Sequence, residues 1–381
     1  MRLLSVFLAG LMAAWLTAPL ASAEPGVMTE KTSNMPTPLI HMTDLYQPPC
    51  DPDDHWDLAT VYALAKQGRV RLLGVVLDYP LQPDPFGFVP LGAGEPAVQA
   101  VAQMNYITGL AVPAVLGVSV PFDQVESGKA ELSGSDAACV DFVIDQLRQS
   151  PDPVAIAVAG SCRNVALAAR IAPEVFKEKC RGIYLNAGTA RINEQNPDER
   201  EWNVALDPGA YRFVFDIPCP VYWLPCFESP GQFVPSQHGS YWNFRQGDIL
   251  PELSQPVQSY LMYALTRSTE QRWLSALRNG IQKEALATQG SYMRNMWCTV
   301  GFLHMAGLGV SREGKLVDLG SLAPENALYN FEPVTVELNG SGVSKWEKAT
   351  APDARYIIEV EDTDEYVKHM RNSLRSLLTT L

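Results

Sequence analysis

The sequence predicts an α/β fold: an open, mostly parallel sheet with helices on both faces. Three observations carry that expectation. The runs VRLLGVV (70–76), PVAIAVAG (153–160) and RGIYLNAG (181–188) are nearly continuous in apolar residues, so each needs cover on both faces. Stretches of helical period lie between such runs, and parallel neighbours require crossovers of that kind. Asp44, Asp53, Asp54, Asp78, Ser161 and Asn186 all follow the ends of apolar runs. Ligands bind at those ends in sheets of this type.

In chain order, residues 1–23 come first. Arg2, an apolar stretch to Leu20 and Ala21-Ser22-Ala23 give the charged, apolar and small-residue regions of a signal peptide. Cleavage is expected after Ala23, so the protein is expected to be secreted or periplasmic. Pro19 argues against a transmembrane anchor. Residues 24–37 read as a polar leader and 38–381 as one domain. Cleavage leaves 28 basic against 42 acidic side chains, near −14. That charge excludes nucleic acid and anionic lipid as partners, and no later stretch is apolar enough to cross a bilayer. The sequence permits a homo-oligomer. Seven cysteines match no zinc spacing, and most read as small buried hydrophobes.

PLIHMTD (38–44) reads as the first strand, and DLATVYALAKQG (57–68) as a helix closed by Gly68. Helices follow at 95–110 and 136–150, with short strands at 112–118 and 153–160. NVALAARIAPEVFKEK (164–179) reads as one helix, DPGAYRFVFD (207–216) as a helix and CPVYWLP (219–225) as a strand. Residues 227–250 have no period and read as a long loop. Its aromatics, Phe227, Phe233, Tyr241, Trp242 and Phe244, suit either stacking on a ligand or anchoring the loop. Helical patterns return at 253–267 and 269–280. The chain ends with strands VTVEL and YIIEVED and an amphipathic helix from Asp364.

TDLYQPPCDPDDHWDL holds five carboxylates: Asp44, Asp51, Asp53, Asp54 and Asp57. Asp54 and Asp57 suit the N-terminus of the following helix. Capping leaves the remainder unexplained, and a hard divalent cation such as calcium would gather carboxylate and carbonyl oxygens here.

A strand ending in Asp, a turn, Asp-Asp and an apolar helix resemble the opening of the nucleoside hydrolase superfamily. The similarity runs through residues 38–380 in order, including PVAIAVAGSCRNVALAARIAPE and EWNVALDPGAYRFVF. It implies a calcium-dependent hydrolase of an N-ribosyl bond, acting on a nucleoside or sugar conjugate. Asp44 would be general base and metal ligand, Asp54 a metal ligand, and Arg163 a ligand through its carbonyl. Asp53, Glu201 and Asn203 would hold ribose hydroxyls, with Asp78 a further sugar contact. The family's late His-Asp pair aligns with Trp297-Cys298, which offers no carboxylate. Cysteine is a poor ligand for a hard cation. Asp51 or Asp57 could take that place. His304 reads as a packed helix residue, and His238 as a loop residue or a leaving-group acid. The alternatives are a same-fold hydrolase of another sugar conjugate and a non-catalytic sugar- or nucleoside-binding protein.

Overall fold

The structure, a computed structural model, describes residues 35–49, 52–79, 95–192, 200–339, 342–349 and 354–381. The expected signal peptide, most of the expected leader and Asp51 lie outside the described residues. Among the described residues no helix is long and apolar enough to cross a membrane.

Nine strands form the main sheet: β1 (Thr37–Thr43), β2 (Val70–Leu77), β3 (Ala114–Leu116), β4 (Val154–Ala159), β5 (Cys180–Leu185), β6 (Val221–Trp223), β7 (Tyr329–Asn339), β8 (Gly342–Lys348) and β9 (Arg355–Val360). Their order across the sheet is β8-β7-β9-β6-β5-β4-β1-β2-β3. Every pairing from β3 across to β9 is parallel, and the two pairings of β7, to β9 and to β8, are antiparallel. The α/β fold predicted by the sequence is therefore the fold observed. Its apolar strands are buried because helices cover both faces.

One face packs Leu39, Val75 and Leu77 of the sheet against α1 (Asp53–Lys66), α2 (Val98–Thr108), α7 (Gln255–Leu265), α8 (Thr299–Met305) and α9 (Thr363–Leu378). The other packs Ile40, Met42, Ile156 and Ile183 against α3 (Gly134–Gln149), α4 (Arg163–Ile171) and α6 (Pro208–Val214). A short helix, α5 (Trp202–Leu206), precedes α6. Helix α1 is buried from Asp53 to Leu64, because it is flanked by other helices as well as by the sheet. Gly68 ends it in the left-handed conformation, φ 69°, with its amide on Ala65 and the Arg69 amide on Leu64. That is the Schellman closure a glycine allows.

Several segments differ from the sequence expectation, among them 269–280, where the expected helix is the short Trp273–Ala276. The single helix expected at 164–179 is two, because Pro173 cannot continue a helix and disfavours helical geometry at Ala172; it opens a separate helix, Pro173–Lys179. The loop expected at 227–250 contains a strand, Trp242–Arg245, paired antiparallel with Met293–Met296. Its partner lies some fifty positions away, so no local pattern announces it.

Candidate active site

The carboxyl ends of adjacent strands deliver the site. Asp44 follows β1, Asp78 follows β2, Gly160 and Ser161 follow β4, Asn186 follows β5 and Cys226 lies just past β6. The N-terminus of α1 adds Asp53, Asp54 and Asp57. All four of the aspartates Asp44, Asp53, Asp54 and Asp57 are buried, at 6%, 7%, 5% and 0% exposure.

Helix α1 has no side-chain cap at Pro52, so none of its carboxylates serves as the N-cap. Asp53 and Asp54 occupy its first turn, where the helix dipole favours negative charge. Thr43 Oγ1 donates to Asp54 Oδ1 at 3.2 Å, tying the end of β1 to the start of α1. Oxygens of Asp53, Asp54 and Asp57 lie within 4.8 Å of one another. Three buried carboxylates that close repel strongly, and an oxygen-seeking cation relieves that repulsion.

Asp44 is held from the other side. Trp202 Nε1 donates to its Oδ2 at 2.7 Å. Trp202 sits between two sequence-predicted site residues, so this bond brings the Glu201–Asn203 segment to the end of β1. Glu201 caps α5, accepting from the amides of Asn203 (3.0 Å) and Val204 (3.4 Å), and also from Gly188 (2.8 Å). Burial raises its pKa despite these donors. Asn203 Nδ2 donates to the Asn186 carbonyl at 2.9 Å.

The Trp297-Cys298 position joins this network. The Cys298 thiol donates to Asn186 Oδ1 at 2.8 Å and lies beside Asp57. Burial, and then the negative charge of Asp57, hold this thiol well above the usual range, so it stays protonated. Asp57 thus stands beside the residue that aligns with the family's missing carboxylate. Trp297 packs with Phe227, Phe233 and Tyr241 in an aromatic group at the same end of the sheet.

The side chains of Asp78 and Arg163 are both engaged within the protein. Asp78 is 1% exposed; its Oδ2 accepts from the Ser161 amide at 2.6 Å and its Oδ1 from Asn164 Nδ2. Burial raises its pKa to about 6, with Arg163 opposing. Arg163 opens α4, directly after the Gly160–Cys162 turn. Its guanidinium is buried, bonding Asp207 Oδ2 (3.1 Å) and the carbonyls of Val118 (2.8 Å) and Leu206 (3.2 Å). Asp207 in turn caps α6 through Ala210 and holds the Phe122 amide. Gly160 lies where a Cβ would come within 2.7 Å of Asp78 Oδ2 and 2.8 Å of the Asp44 amide, so only glycine fits.

His304 is packed as the sequence suggested: Nδ1 meets Tyr184 Oη at 2.8 Å and the ring lies against Phe331. His238 packs on Trp346 between Glu228 and Glu359. Sequence reading passed over Trp202, Asn164 and Gly160. The only available signal for Trp202 was its place inside the Glu-x-Asn segment.

The model of the inosine-uridine preferring nucleoside hydrolase family matches residues 50–273, more than half of the chain. A search of curated protein sequences returns no significant match. Among solved structures, a plant nucleoside hydrolase, PpNRh1, is 15% identical, with TM-score 0.50, covering 90% of this chain and 99% of that one. The effector protein XOO4466 is 14% identical, with TM-score 0.50, covering 90% and 94%. An inosine-uridine preferring nucleoside hydrolase from Bacillus anthracis is 12% identical, with TM-score 0.46, covering 90% and 99%. The likeness to PpNRh1 and to XOO4466 speaks for the fold; the sequence match over 50–273 speaks for the family. This chain belongs to the inosine-uridine preferring nucleoside hydrolase family.

Proposed function

We propose that this protein is an exported, calcium-dependent hydrolase that cleaves the N-glycosidic bond of a nucleoside or related ribosyl conjugate. The observation that carries the reading is the Asp44–Trp202 hydrogen bond. It ties the acidic end of β1 and α1 to the Glu201–Asn203 segment, so one site holds both a base and hydroxyl-binding groups.

The donor set suits calcium. Asp44, Asp54 and the Arg163 carbonyl would hold the ion, with Asp57 supplying the carboxylate that Cys298 lacks. All are oxygen donors, as a hard cation prefers, and the protonated Cys298 thiol is not among them. The ion would supply Lewis-acid help in ionising a water and would draw in the sugar's vicinal hydroxyls. Asp44 would take the proton of that water, and the Trp202 N–H would keep its carboxylate turned toward it. Asp53, Glu201 and Asn203 would grip ribose hydroxyls, contacts that tighten as the ring flattens toward an oxocarbenium-like state. Asp78, only 1% exposed behind the Gly160 turn, would position that turn rather than touch sugar. The aromatic group around Trp297 would face the leaving base and exclude water. Export rests on the pattern of residues 1–23.

Three measurements test the reading. Titration calorimetry with calcium should show one ion per chain, lost in Asp54→Asn and weakened in Asp57→Asn. Reducing sugar should be released from inosine, uridine or a nitrophenyl riboside. N-terminal sequencing of protein recovered outside the cytoplasm should begin at Glu24. No sugar release together with no calcium uptake would reject the hydrolase in favour of a binding protein.

A further inference from the structure

The six described cysteines are buried thiols, and they are not equivalent. Cys139 turns to Asn164 Oδ1 (3.6 Å), Cys298 to Asn186 Oδ1 (2.8 Å) and Cys226 to Glu201. Cys180 and Cys219 turn to each other, thiol to thiol.

The backbone explains this pairing. Cys180 opens β5, and Cys219 stands two residues before β6. These neighbouring parallel strands are in register with Ile183 opposite Val221, and the Ile183 amide donates to the Pro220 carbonyl at 2.9 Å. Counting back sets Cys219 opposite Arg181, and the β4–β5 register skips Arg181 (Val154 opposite Cys180, Ala155 opposite Gly182), a bulge that turns Cys180 to the face that Cys219 also occupies. Strands about 4.8 Å apart with a rise of about 3.3 Å per residue put the two α-carbons roughly 6 Å apart. That lies inside the range a disulfide spans. Both side chains sit in the same core, at 6% and 5% exposure. Arg355 fixes the approach of Cys219 by donating to the carbonyls of Phe215 (2.6 and 2.9 Å), Ile217 (2.9 Å) and Cys219 itself (2.9 Å).

We propose that Cys180 and Cys219 form a disulfide when the folding chain meets a disulfide oxidant, stapling β5 to β6 at the end of the sheet away from the carboxylates. The two thiols give up two protons and two electrons as the S–S bond forms. Oxidised glutathione, or a dithiol oxidoreductase in its disulfide form, takes them up and becomes two thiols. The bond closes the span 180–219, which contains Glu201, Asn203 and Asp207, and it limits the freedom of that span in the unfolded chain. Asn186, at the site end of β5, is about 20 Å along the strand from Cys180, so the staple acts on stability and leaves the site geometry alone.

The test uses the full chain, unfolded with reductant and refolded in a buffer of reduced and oxidised glutathione, so that the thiols meet oxidant before burial. Remaining thiols are alkylated, and the protein is digested without reductant for mass spectrometry. The expected result is one linked peptide pair carrying Cys180 and Cys219, two hydrogens lighter than its reduced parts. Reduction should lower the melting temperature by roughly 5 °C, and the C180A/C219A double variant should melt alike with and without reductant. Neither activity nor export enters the readout, so failure here leaves the hydrolase reading untouched. Recovery of both cysteines alkylated, or linked to other partners, overturns the proposal.

Discussion

Replacing Trp202 with Phe removes one N–H and keeps a flat aromatic side chain in α5. The lost bond is short, 2.7 Å from Nε1 to Asp44 Oδ2, and its acceptor is a carboxylate only 6% exposed. A hydrogen bond to a charged partner is worth about 1.5–3 kcal/mol. If Asp44 takes a proton in the reaction, part of that energy holds it in line, and each ~1.4 kcal/mol lost from the transition state is tenfold in rate. Trp202→Phe should therefore lower kcat about 10- to 100-fold, with KM changed far less because the groups proposed to hold the sugar hydroxyls remain. The assay is steady-state release of reducing sugar from the best nucleoside substrate, with a circular dichroism melt to show an intact fold. Asp44→Asn in the same assay sets the floor. If Trp202→Phe retains kcat within twofold while Asp44→Asn is dead, the indole does not orient the base and the reasoning fails.

Gly160→Ala should cripple activity more than stability. The new Cβ would meet the Asp44 amide at 2.8 Å and Asp78 Oδ2 at 2.7 Å, forcing the base out of line, and misplacement of about 1 Å can cost on the order of 100-fold; kcat near wild type would contradict this. Arg163→Met leaves Asp207 (4% exposed) without its cation and should lower stability by about 3–5 kcal/mol in urea unfolding; a loss under 1 kcal/mol would show that the ion pair is not what holds α4 to α6. Burial holds His41 down to about 3 and, with help from Arg181, His304 to about 4. Below pH 6.5 the unfolded chain takes up these protons and the folded chain does not. Stability is therefore complete above pH 6.5 and falls as pH drops toward 4, by on the order of 2–3 kcal/mol per histidine at pH 4.5. Urea midpoints at pH 7 and 4.5 should differ less in His41→Leu than in the parent; an equal difference would reject His41 as a source of acid lability.

The sheet was legible because burial on both faces leaves an unmistakable apolar run, and β1, β2, β4 and β5 stand where those runs stand. The strand Trp242–Arg245 was not, since its partner among the described residues is the distant Met293–Met296. In the site, Asp44, Asp53 and Asp54 were conspicuous as unexplained charge. Trp202 was hidden, because an indole reads as core until its N–H is seen on a carboxylate. Arg163 and Asp78 show the converse. Both are polar residues at strand ends, yet their side chains are consumed internally, by Asp207 and by Ser161 with Asn164. Sequence position brings a group to the site, but its burial and its internal partners together decide whether it faces a ligand.

The most direct test of the account is the hydrolysis of inosine and uridine by the purified chain in calcium, beside the same protein in chelator and beside Asp44→Asn. The account expects free ribose and base from the untreated protein, loss of that release in chelator with recovery on adding calcium back, and no release from Asp44→Asn at any calcium concentration. Sugar release by Asp44→Asn at the parent's rate, or release indifferent to chelator, would contradict a metal-held water and an aspartate base at the end of β1.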